Sequence, residues 1–486
     1  MQIFAFLKNY RYEIVALTTG ASVMILEIVG ARLMAPYFGT STYVWTAMIG
    51  VILGSLALGY WYGGRMADRR PSHTHIAVLL IVAGVLLLFV ALMHQSLLGA
   101  IAAVNLDIRV GAFVAAVLLF GIPSALVGAI SPHLAKIRVT SLEITGKAVG
   151  RLEAAGALGS IAGTFLAGYV LLGWLGSRSI MLGLVVVLVA LSLMVEHRLW
   201  RMGRLGLALA ALLFIWTPLP TEKNIIEDTD SAYTRYQVKA VQYGGLPVTV
   251  LQTDQNGYQS GVFDGGSFRQ LPFAYTRDFM TIFSALTPSS VLMIGGGTYV
   301  VPSAIATVSP VTPVTVVEID PKLDELAARH FGFSAPDSVK LVHEDGRVFL
   351  NSNQEKYGLI YLDAFQALTP PFQLATKEAV TGLARAVGSR GVVVVNVIAE
   401  LPNGRSEYLE ALQATYRSQF SQVSVIQVNP AIAASARQNM LLLASNDEAL
   451  LMRTQQALGA TSLSVATNGR VLSDDYAPIE RLTFSN

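Results

Sequence analysis

The strongest constraint on this chain is a series of long, almost uncharged apolar runs in its first 220 residues. A helix needs about 20 consecutive apolar residues to cross a bilayer. Charged residues make up 14% of the chain, against about 25% in soluble proteins. The sequence therefore predicts a multi-span α-helical membrane bundle over residues 1–220, integral to a cell membrane and in contact with the lipid bilayer. Seven spans are predicted, of which the last is the shortest, at 12–34, 43–64, 76–94, 110–131, 149–172, 177–195 and 204–219.

The basic residues between these spans predict an orientation. They gather before the first span and after the second, fourth and sixth spans, as Lys8, Arg11, Arg65, Arg69, Arg70, Lys136, Arg138, Lys147, Arg198, Arg201 and Arg204. Cytoplasmic loops carry such an excess of Lys and Arg, so the N-terminus is predicted to be cytoplasmic. Seven crossings place the C-terminal half outside, whereas six place it in the cytoplasm, so the sequence leaves its side open.

Ionisable residues inside the predicted spans are costly in a bilayer and mark functional candidates. They are Glu27, Arg32, His133 and Glu153. One interpretation is that they bond to partners inside the bundle, and the other is that they line a transport path. The run "GALGSIAGTFLAG" at 156–168 is typical of closely packed membrane helices.

Several classes of function are disfavoured by composition. The chain has no cysteine, so it has no disulfide, thiol nucleophile or thiolate metal site. Its net charge of +2 comes without a basic stripe, which argues against a nucleic-acid partner. The seven histidines show no metal-ligand spacing, so no metal site is predicted.

The second half of the chain has the pattern of strand and helix segments that is typical of a soluble α/β protein. After a polar linker at about 218–232, alternating apolar residues predict a small antiparallel β domain over 221–275. Strands then alternate with helices over 276–486, which predicts a Rossmann-like, seven-stranded fold of the S-adenosylmethionine type. The predicted strands are 291–294, 314–319, 339–343, 358–362, 391–398, 422–428 and 438–445.

Candidate ligand-binding residues follow the ends of four successive predicted strands. Glycines let backbone N–H groups approach a ligand at such a strand–helix turn. A carboxylate after the second strand can accept both ribose hydroxyls, and Asp345 can accept from an adenine amino group or cap a helix. Ligands of open parallel sheets bind at these carboxyl ends, so the pattern predicts an adenosine site. Its residues are Gly295, Gly296, Gly297, Glu318, Asp345, Gly346 and Asp363.

Both halves resemble the spermidine synthase family in its membrane-attached bacterial form. The resemblance rests on residues 27–70, on the tail "DDYAPIE" at 474–480, and on the motifs "RYQVKAV", "NGYQSGVF", "LPFAYTRDFM", "GGGT", "VEID", "EDGRVFL" and "YLDAF" in that order. It implies transfer of an aminopropyl group from decarboxylated S-adenosylmethionine to an amine or polyamine, with release of methylthioadenosine, by a homodimer. It also implies that Gln237 touches the donor, that Asp363 helps deprotonate the attacking amine, and that Tyr275 lies near that amine.

Three departures from the family pattern keep other functions open. Thr298 stands where the family has an aspartate for the donor's amino group, Gln366 replaces a second acid, and Thr276 replaces a glutamine. Each change removes a group that binds a cation, which weakens binding of a polycationic acceptor. The loss of the acid at Thr298 also relieves repulsion toward a donor that keeps its carboxylate, so intact S-adenosylmethionine is the alternative, for methyl transfer, aminocarboxypropyl transfer or cyclisation. A non-catalytic polyamine transporter or sensor is the third hypothesis. The acids Asp474 and Asp475 are interpreted either as turn and cap residues or as replacements for the missing acids.

Overall fold

The structure is a computed structural model. It describes residues 2–104, 106–139, 145–198, 200–217, 224–254, 257–265, 268–365, 371–460 and 462–483, without the side chains of 2–9 and 216. The chain forms two compact units. The helical unit comprises Met1–Glu222 and Thr229–Arg235, and the α/β unit comprises Lys223–Asp228 and Tyr236–Asn486.

The helical unit is built from ten α-helices within the described residues, two of them continued by π-helical turns. The helices are α1 Gln2–Phe38, α2 Thr42–Arg69, α3 His73–Ala103, α4 Ile108–Ala116, α5 Ile122–Gly128, α6 Ile130–Arg138, α7 Thr145–Phe165, α8 Leu172–Trp174, α9 Ser177–Val195 and α10 Arg201–Trp216. The π-helical turns are Val117–Gly121 and Leu166–Leu171.

Six helical stretches of the described chain are long and apolar enough to cross a membrane. They are Tyr10–Phe38, Thr42–Arg69, His73–Ala103, Ile108–Arg138, Thr145–Trp174 and Ser177–Val195. These coincide with the first six predicted spans. The seventh predicted span, 204–219, corresponds to α10, whose 16 residues are fewer than the other six stretches have.

Small residues bring α1 and α7 into backbone contact. A Cβ added at Gly159 would overlap the Leu17 carbonyl, and one at Gly163 would overlap the backbone of Ala21. Close backbone approach of this kind is how membrane helices associate without a hydrophobic driving force. The small-residue run at 156–168 therefore does pack closely, as its composition predicts.

Three of the four ionisable residues of the predicted spans, Arg32, His133 and Glu153, have side-chain hydrogen bonds within the helical unit. Arg32 donates to the carbonyls of Ala232, at 3.2 Å, and of Ser231, and its guanidinium lies 3.9 Å from the Asp230 carboxylate. Elsewhere in the unit, Glu153 accepts from the Ser131 hydroxyl at 3.2 Å. These contacts favour the interpretation that the polar groups are held by partners inside the unit.

The first sheet of the α/β unit is antiparallel and has the order β1-β2-β3-β4. Its strands are β1 Ile225–Asp230, β2 Arg235–Tyr243, β3 Leu246–Gln252 and β4 Ser260–Phe263. The last three lie where alternating residues predict them. The prediction of a linker over 218–232 was wrong for β1, because the acidic sequence "IIEDTD" hides an edge strand that is only partly buried.

The second sheet has seven strands in the order β10-β11-β9-β8-β5-β6-β7. They are β5 Val291–Ile294, β6 Val314–Glu318, β7 Val339–His343, β8 Leu359–Leu362, β9 Val392–Ala399, β10 Gln422–Gln427 and β11 Gln438–Ser445. The strands from β5 to β9 pair in parallel, and β11 is antiparallel to both of its neighbours, β9 and β10. Central strands such as β5 and β8 are buried along their whole length, as Val- and Leu-rich parallel strands are when helices cover both faces.

Three helices of the α/β unit begin after a residue whose side chain caps them. Asp345, Ser406 and Asp447 each accept a hydrogen bond from the first turn of the helix that they precede. The helices are α11 Ala274–Leu286, α12 Val300–Val308, α13 Lys322–His330, α14 Gly346–Ser352, α15 Lys377–Val387, α16 Glu407–Arg417, α17 Glu448–Leu458 and α18 Ile479–Thr483. Short 3₁₀ turns lie at Phe372–Leu374 and Pro402–Gly404.

The strand order places a topological switch point between β5 and β8. From β5 the chain proceeds outward through β6 to β7, and it then returns to add β8 on the other side of β5. Ligands of open α/β sheets bind outside the carboxyl ends of the strands at such a reversal. The glycine turn after β5 and Asp363 after β8 both lie there.

Candidate active site

The glycine turn after β5 needs glycine for conformational and steric reasons. Gly295 and Gly297 have φ of 89° and 53°, in the left-handed region that side chains disfavour. A Cβ on Gly295 would also overlap the carbonyl group of Asp363. The turn therefore brings its bare backbone against the end of β8, while the Gly295 N–H donates to the Val317 carbonyl at 2.9 Å.

Glu318, the last residue of β6, holds this turn in place. Its carboxylate accepts from the Gly296 N–H at 2.7 Å and from the Asp320 N–H at 3.0 Å, and 8% of the residue is exposed. Burial raises the pKa of Glu318, and the backbone N–H groups oppose that rise. A carboxylate at this position can accept ribose hydroxyls while it stays tied to the glycine turn.

Asp345 caps α14, which was one of its two interpretations. One oxygen accepts from the N–H groups of Arg347 at 2.8 Å and Val348 at 3.2 Å. The other oxygen lies 3.5 Å from the Gln373 amide. Gly346 follows in the chain and is buried against Ile294 of β5. Capping occupies one oxygen, so the second remains available for a ligand beside Gln373.

Asp363 lies at the end of β8 with a carboxylate suited to proton transfer. Asn396 on β9 donates to it at 2.8 Å. Burial raises the pKa of Asp363 to about 7, and the hydrogen bonds from Asn396 and Tyr275 limit that rise. A base is most effective when its pKa lies near the working pH. Asp363 therefore has the position and the proton affinity of a general base.

Tyr275, which the family resemblance places near the attacking amine, lies beside Asp363. Its hydroxyl lies 2.9 Å from the Gln259 carbonyl and within hydrogen-bonding reach of the Asp363 carboxylate. Burial and the neighbouring Asp363 charge raise the pKa of Tyr275 well above its usual value. The phenol therefore stays protonated at neutral pH and acts as a hydrogen-bond donor.

Asn396 is a site residue that the motif search did not identify. It is 3% exposed, and its amide oxygen accepts from Asn439 on β11 at 2.9 Å. Asn439, Asn396 and Asp363 thus form a line of hydrogen bonds across three strands. The signal in the sequence was an asparagine inside the otherwise apolar run "VVVVNVIA", because a buried polar side chain in a central strand needs a partner.

Thr298, which replaces an acid of the family pattern, is fully buried and already paired. Its hydroxyl lies 2.6 Å from the Ser260 hydroxyl on β4, and both side chains are uncharged. At this end of the glycine turn the wall of the site is therefore neutral.

The other described residues predicted from the family pattern have hydrogen-bond partners outside this cluster. Gln237, on β2, donates to the Asp228 carboxylate at 3.0 Å rather than to the glycine turn, while its neighbour Tyr236 donates to Asp320 at 2.8 Å. Thr276 is buried, and its hydroxyl donates to the Phe273 carbonyl at 2.8 Å in the first turn of α11. Gln366 lies outside the described residues.

Within the part of the chain that the structure describes, no cluster of three or more His, Asp or Glu side chains has a geometry for a metal ion.

The α/β unit matches a known family over much of its length. Residues 273–449 match the Spermine/spermidine synthase domain. This match confirms the predicted resemblance for the C-terminal half of the chain, and it does not extend to the helical unit.

Two curated relatives align with the chain over longer stretches. The polyamine aminopropyltransferase of Vibrio vulnificus is 29% identical over 198 residues, which are 40% of this chain and 64% of the relative. The probable polyamine aminopropyl transferase of Bifidobacterium longum is 26% identical over 314 residues, which are 57% of this chain and 68% of the relative. The chain thus spans about two thirds of these relatives.

Among solved structures, similar chains include two spermidine synthases. A probable spermidine synthase from Corynebacterium glutamicum has a TM-score of 0.44 at 20% identity and covers 53% of this chain and 97% of its own. The spermidine synthase from Thermotoga maritima has a TM-score of 0.38 at 17% identity. The alignment covers 47% of this chain and 75% of the synthase.

Proposed function

We propose that the chain is an aminopropyltransferase, because residues 273–449 match the Spermine/spermidine synthase domain. It transfers an aminopropyl group from decarboxylated S-adenosylmethionine to an amine and releases methylthioadenosine. The observation that carries this proposal is the carboxylate of Asp363, with a pKa of about 7, at the switch point against the bare glycine turn.

In the proposed reaction, the donor's nucleoside lies along the strand ends. The free oxygen of Asp345 and the carboxylate of Glu318 accept from the adenine amino group and the ribose hydroxyls. The sulfonium group then lies beyond the glycine turn, beside Asp363. Holding both reactants in one site accounts for much of the rate gain in such a displacement.

The chemical step moves one electron pair at each end of the transferred carbon. The amine lone pair forms a C–N bond to the carbon next to sulfur, the C–S bond breaks, and sulfur leaves as the neutral thioether of methylthioadenosine. The amine must lose a proton, which passes to the carboxylate of Asp363. The Asn396 amide holds that carboxylate in place, with the Tyr275 hydroxyl beside it.

The test uses the full-length protein, purified in detergent, with decarboxylated S-adenosylmethionine and putrescine or spermidine. We expect release of methylthioadenosine and an acceptor heavier by one aminopropyl group, both measured by mass spectrometry. An intact donor after incubation with a panel of amines contradicts the proposal.

A second candidate donor, intact S-adenosylmethionine, is supported by one observation. The buried Thr298–Ser260 pair puts no negative charge at this end of the glycine turn, so a donor carboxylate meets no repulsion there. The same assay with intact S-adenosylmethionine separates the products, because methyl transfer yields S-adenosylhomocysteine and aminocarboxypropyl transfer or cyclisation yields methylthioadenosine. The variant Thr298→Asp then tests the cause, since an added carboxylate disfavours the intact donor relative to the decarboxylated one.

We further propose that the helical unit is a membrane bundle with seven crossings. Helix α10 lies antiparallel to α9 along its whole length. At one end Arg204 donates to the carbonyls of Ser192 and Glu196, at 2.9 and 2.6 Å, and at the other end Arg178 donates to the Thr217 carbonyl at 2.7 Å. A 16-residue helix is about 24 Å long, and a short span is accommodated by local thinning of the bilayer.

This arrangement favours a C-terminal half outside the cytoplasm. The last part of the helical unit lies at the start of α9, where Asp230 accepts from the Ser177 N–H at 2.9 Å. That end is opposite to the basic loops, which are cytoplasmic by the distribution of Lys and Arg. The donor is made in the cytoplasm, so this location requires its export. The homodimer stays a prediction.

Single cysteines test the sidedness directly, because the chain contains none of its own. On intact cells, a membrane-impermeant maleimide is expected to label Gln354→Cys in the α/β unit and to leave Lys136→Cys at the basic end unlabelled. The reverse pattern places the α/β unit in the cytoplasm and contradicts seven crossings.

A further inference from the structure

Arg347, in the first turn of α14, joins three segments that are far apart in sequence. Its guanidinium donates to the Gln373 carbonyl at 3.0 Å and to the Thr376 hydroxyl at 3.0 Å. It also donates to both oxygens of Asp474, at 3.2 and 2.8 Å. The Arg347 side chain is 15% exposed. The Asp474 side chain is 46% exposed, and the planar two-point contact between arginine and carboxylate fixes the relative orientation of the two side chains.

Asp474 is placed by its own backbone as well as by Arg347. Its N–H donates to the Glu378 carboxylate at 3.0 Å, and its carboxylate accepts from the Thr376 hydroxyl at 2.7 Å. Two residues earlier, the buried Leu472 bonds through its N–H to the Thr415 hydroxyl, at 2.9 Å, and through its carbonyl to the Lys377 N–H, at 2.9 Å. The C-terminal segment is thus held against the starts of α14 and α15, and Asp474 is committed to Arg347.

The same arginine fixes both sides of the space beside Asp345. The Arg347 N–H donates to one oxygen of the Asp345 carboxylate, at 2.8 Å, and the Arg347 guanidinium holds the backbone of Gln373. The Gln373 amide lies 3.5 Å from the other Asp345 oxygen. A site whose polar groups are held before the ligand arrives loses less conformational entropy on binding.

We propose that Arg347 and Asp474 are positioning residues for the nucleoside of the donor. They act through Asp345 and Gln373, whose polar atoms they keep at the spacing that the adenine end requires. This inference rests on the proposed function. It gives the C-terminal segment a role in donor binding, in place of the amine-binding role considered for Asp474 from the sequence.

The test measures binding of methylthioadenosine to the full-length protein in detergent by calorimetry. For both Arg347→Met and Asp474→Asn we expect the Kd to rise about tenfold, and for the double variant to rise little further, because the two side chains belong to one network. The KM for the donor rises likewise, while kcat at saturating donor and its pH midpoint stay close to those of the unmodified protein. Arg347→Lys keeps the charge but not the planar fork, so it restores only part of the affinity.

A matched control comes from another arginine pair of the same unit. Arg405 contacts both carboxylate oxygens of Glu410, at 3.3 and 3.4 Å, at the start of α16. Arg405→Met removes a comparable ion pair that touches none of the candidate site residues, so the Kd for methylthioadenosine is expected to stay unchanged.

The outcomes separate this inference from the proposed function. Unchanged affinity in Arg347→Met and Asp474→Asn, or a lower kcat at unchanged Kd, overturns the positioning role and leaves the enzyme proposal intact. Failure of the unmodified protein to bind methylthioadenosine overturns both. If Arg347→Met does not fold, the isosteric Asp474→Asn decides the matter alone.

Discussion

In the helical unit, glycines let two helices touch, whereas in the α/β unit glycines leave a turn bare beside a carboxylate. Gly159 and Gly163 of α7 have helical backbones, and side chains there would overlap α1. Gly295 and Gly297 have positive φ, and their turn faces Asp363. The first pair serves packing, and the second pair lies in the site that we propose for the donor. The difference teaches that one residue type predicts a stability effect in one unit and a functional effect in the other.

The largest expected effect is on catalysis in the α/β unit. Asp363→Asn keeps the shape of the side chain but cannot accept the amine proton. We expect kcat to fall about 10³-fold, within the range of general-base catalysis, with methylthioadenosine binding retained. A variant that keeps more than a tenth of the activity in the mass-spectrometric assay rules out Asp363 as the base.

Stability gives an independent measure of the same residue. Burial raises the pKa of Asp363 to about 7 in the folded state, whereas it is about 4 in an unfolded chain. The folded protein therefore loses stability as the pH rises from about 4 to about 7, because the unfolded state ionises more easily. Asp363→Asn removes this loss, so its melting temperature at pH 8 should equal or exceed that of the unmodified protein.

The glycine comparison is tested next by Gly295→Ala. The methyl group meets the Asp363 carbonyl and the residue keeps a positive φ. We expect the Kd for methylthioadenosine to rise about 100-fold. The backbone strain of an alanine at positive φ and the overlap of its methyl group both destabilise the conformation of the site that binds the ligand.

Gly388→Ala is the control for that substitution. Gly388 has φ of 66° and open space around its Cβ, at the end of α15. The alanine variant has the same kind of backbone strain at a position away from the site. We therefore expect Gly388→Ala to lower the melting temperature and to leave the Kd for methylthioadenosine unchanged. Equal effects of both variants on binding would remove the distinction between the two kinds of glycine.

In the helical unit the matching substitution is Gly159→Ala. A methyl group here overlaps the Leu17 carbonyl, so α1 and α7 must separate. Overpacking of this kind costs about 2 kcal/mol. We expect a lower melting temperature in detergent, with no change in the affinity for methylthioadenosine. Gly168→Ala, where nothing lies within 4 Å of the added Cβ, should behave like the unmodified protein, and equal losses in both variants would contradict the packing role.

The smallest expected effect concerns the proton affinity of Asp363. Below the pKa of about 7 the base is protonated, so kcat/KM should rise with pH and level off above that value. The Asn396 N–H stabilises the charged form, and Asn396→Leu therefore raises the pKa of Asp363. We expect the midpoint of the pH profile to move upward by about one unit, which corresponds to 1.36 kcal/mol. A midpoint that stays in place, or moves downward, shows that another group titrates.

Much of the fold could be predicted because its strands are uninterrupted apolar runs. The runs at 291–294 and 438–445 coincide with β5 and β11 residue for residue. Strand β1 was missed, since three of its six residues are acidic and an edge strand needs little apolar surface. The alternation of strands and helices predicted a parallel sheet, and the strands from β5 to β9 do pair in parallel.

The site was less accessible to sequence reasoning, for a physical reason. Glycines and acids such as Gly295 and Glu318 can be predicted as site residues because they stand at the ends of predicted strands. Asn396 could have been noticed as a polar residue in an apolar strand. The pair of Arg347 with Asp474 could not, because 127 positions separate them and their contact exists only once α14 and the C-terminal segment pack together. The Asp228 partner of Gln237 was hidden for the same reason, as it lies on the unpredicted β1.

The central claim is that a sulfonium nucleoside occupies the strand ends at the switch point, with its reacting carbon beside Asp363. An experimental structure of the intact protein with methylthioadenosine tests it most directly. The account predicts ribose hydroxyls on Glu318, adenine beside Asp345, and the thioether sulfur near Asp363. Methylthioadenosine bound elsewhere, or an empty site at saturating concentration, would contradict it.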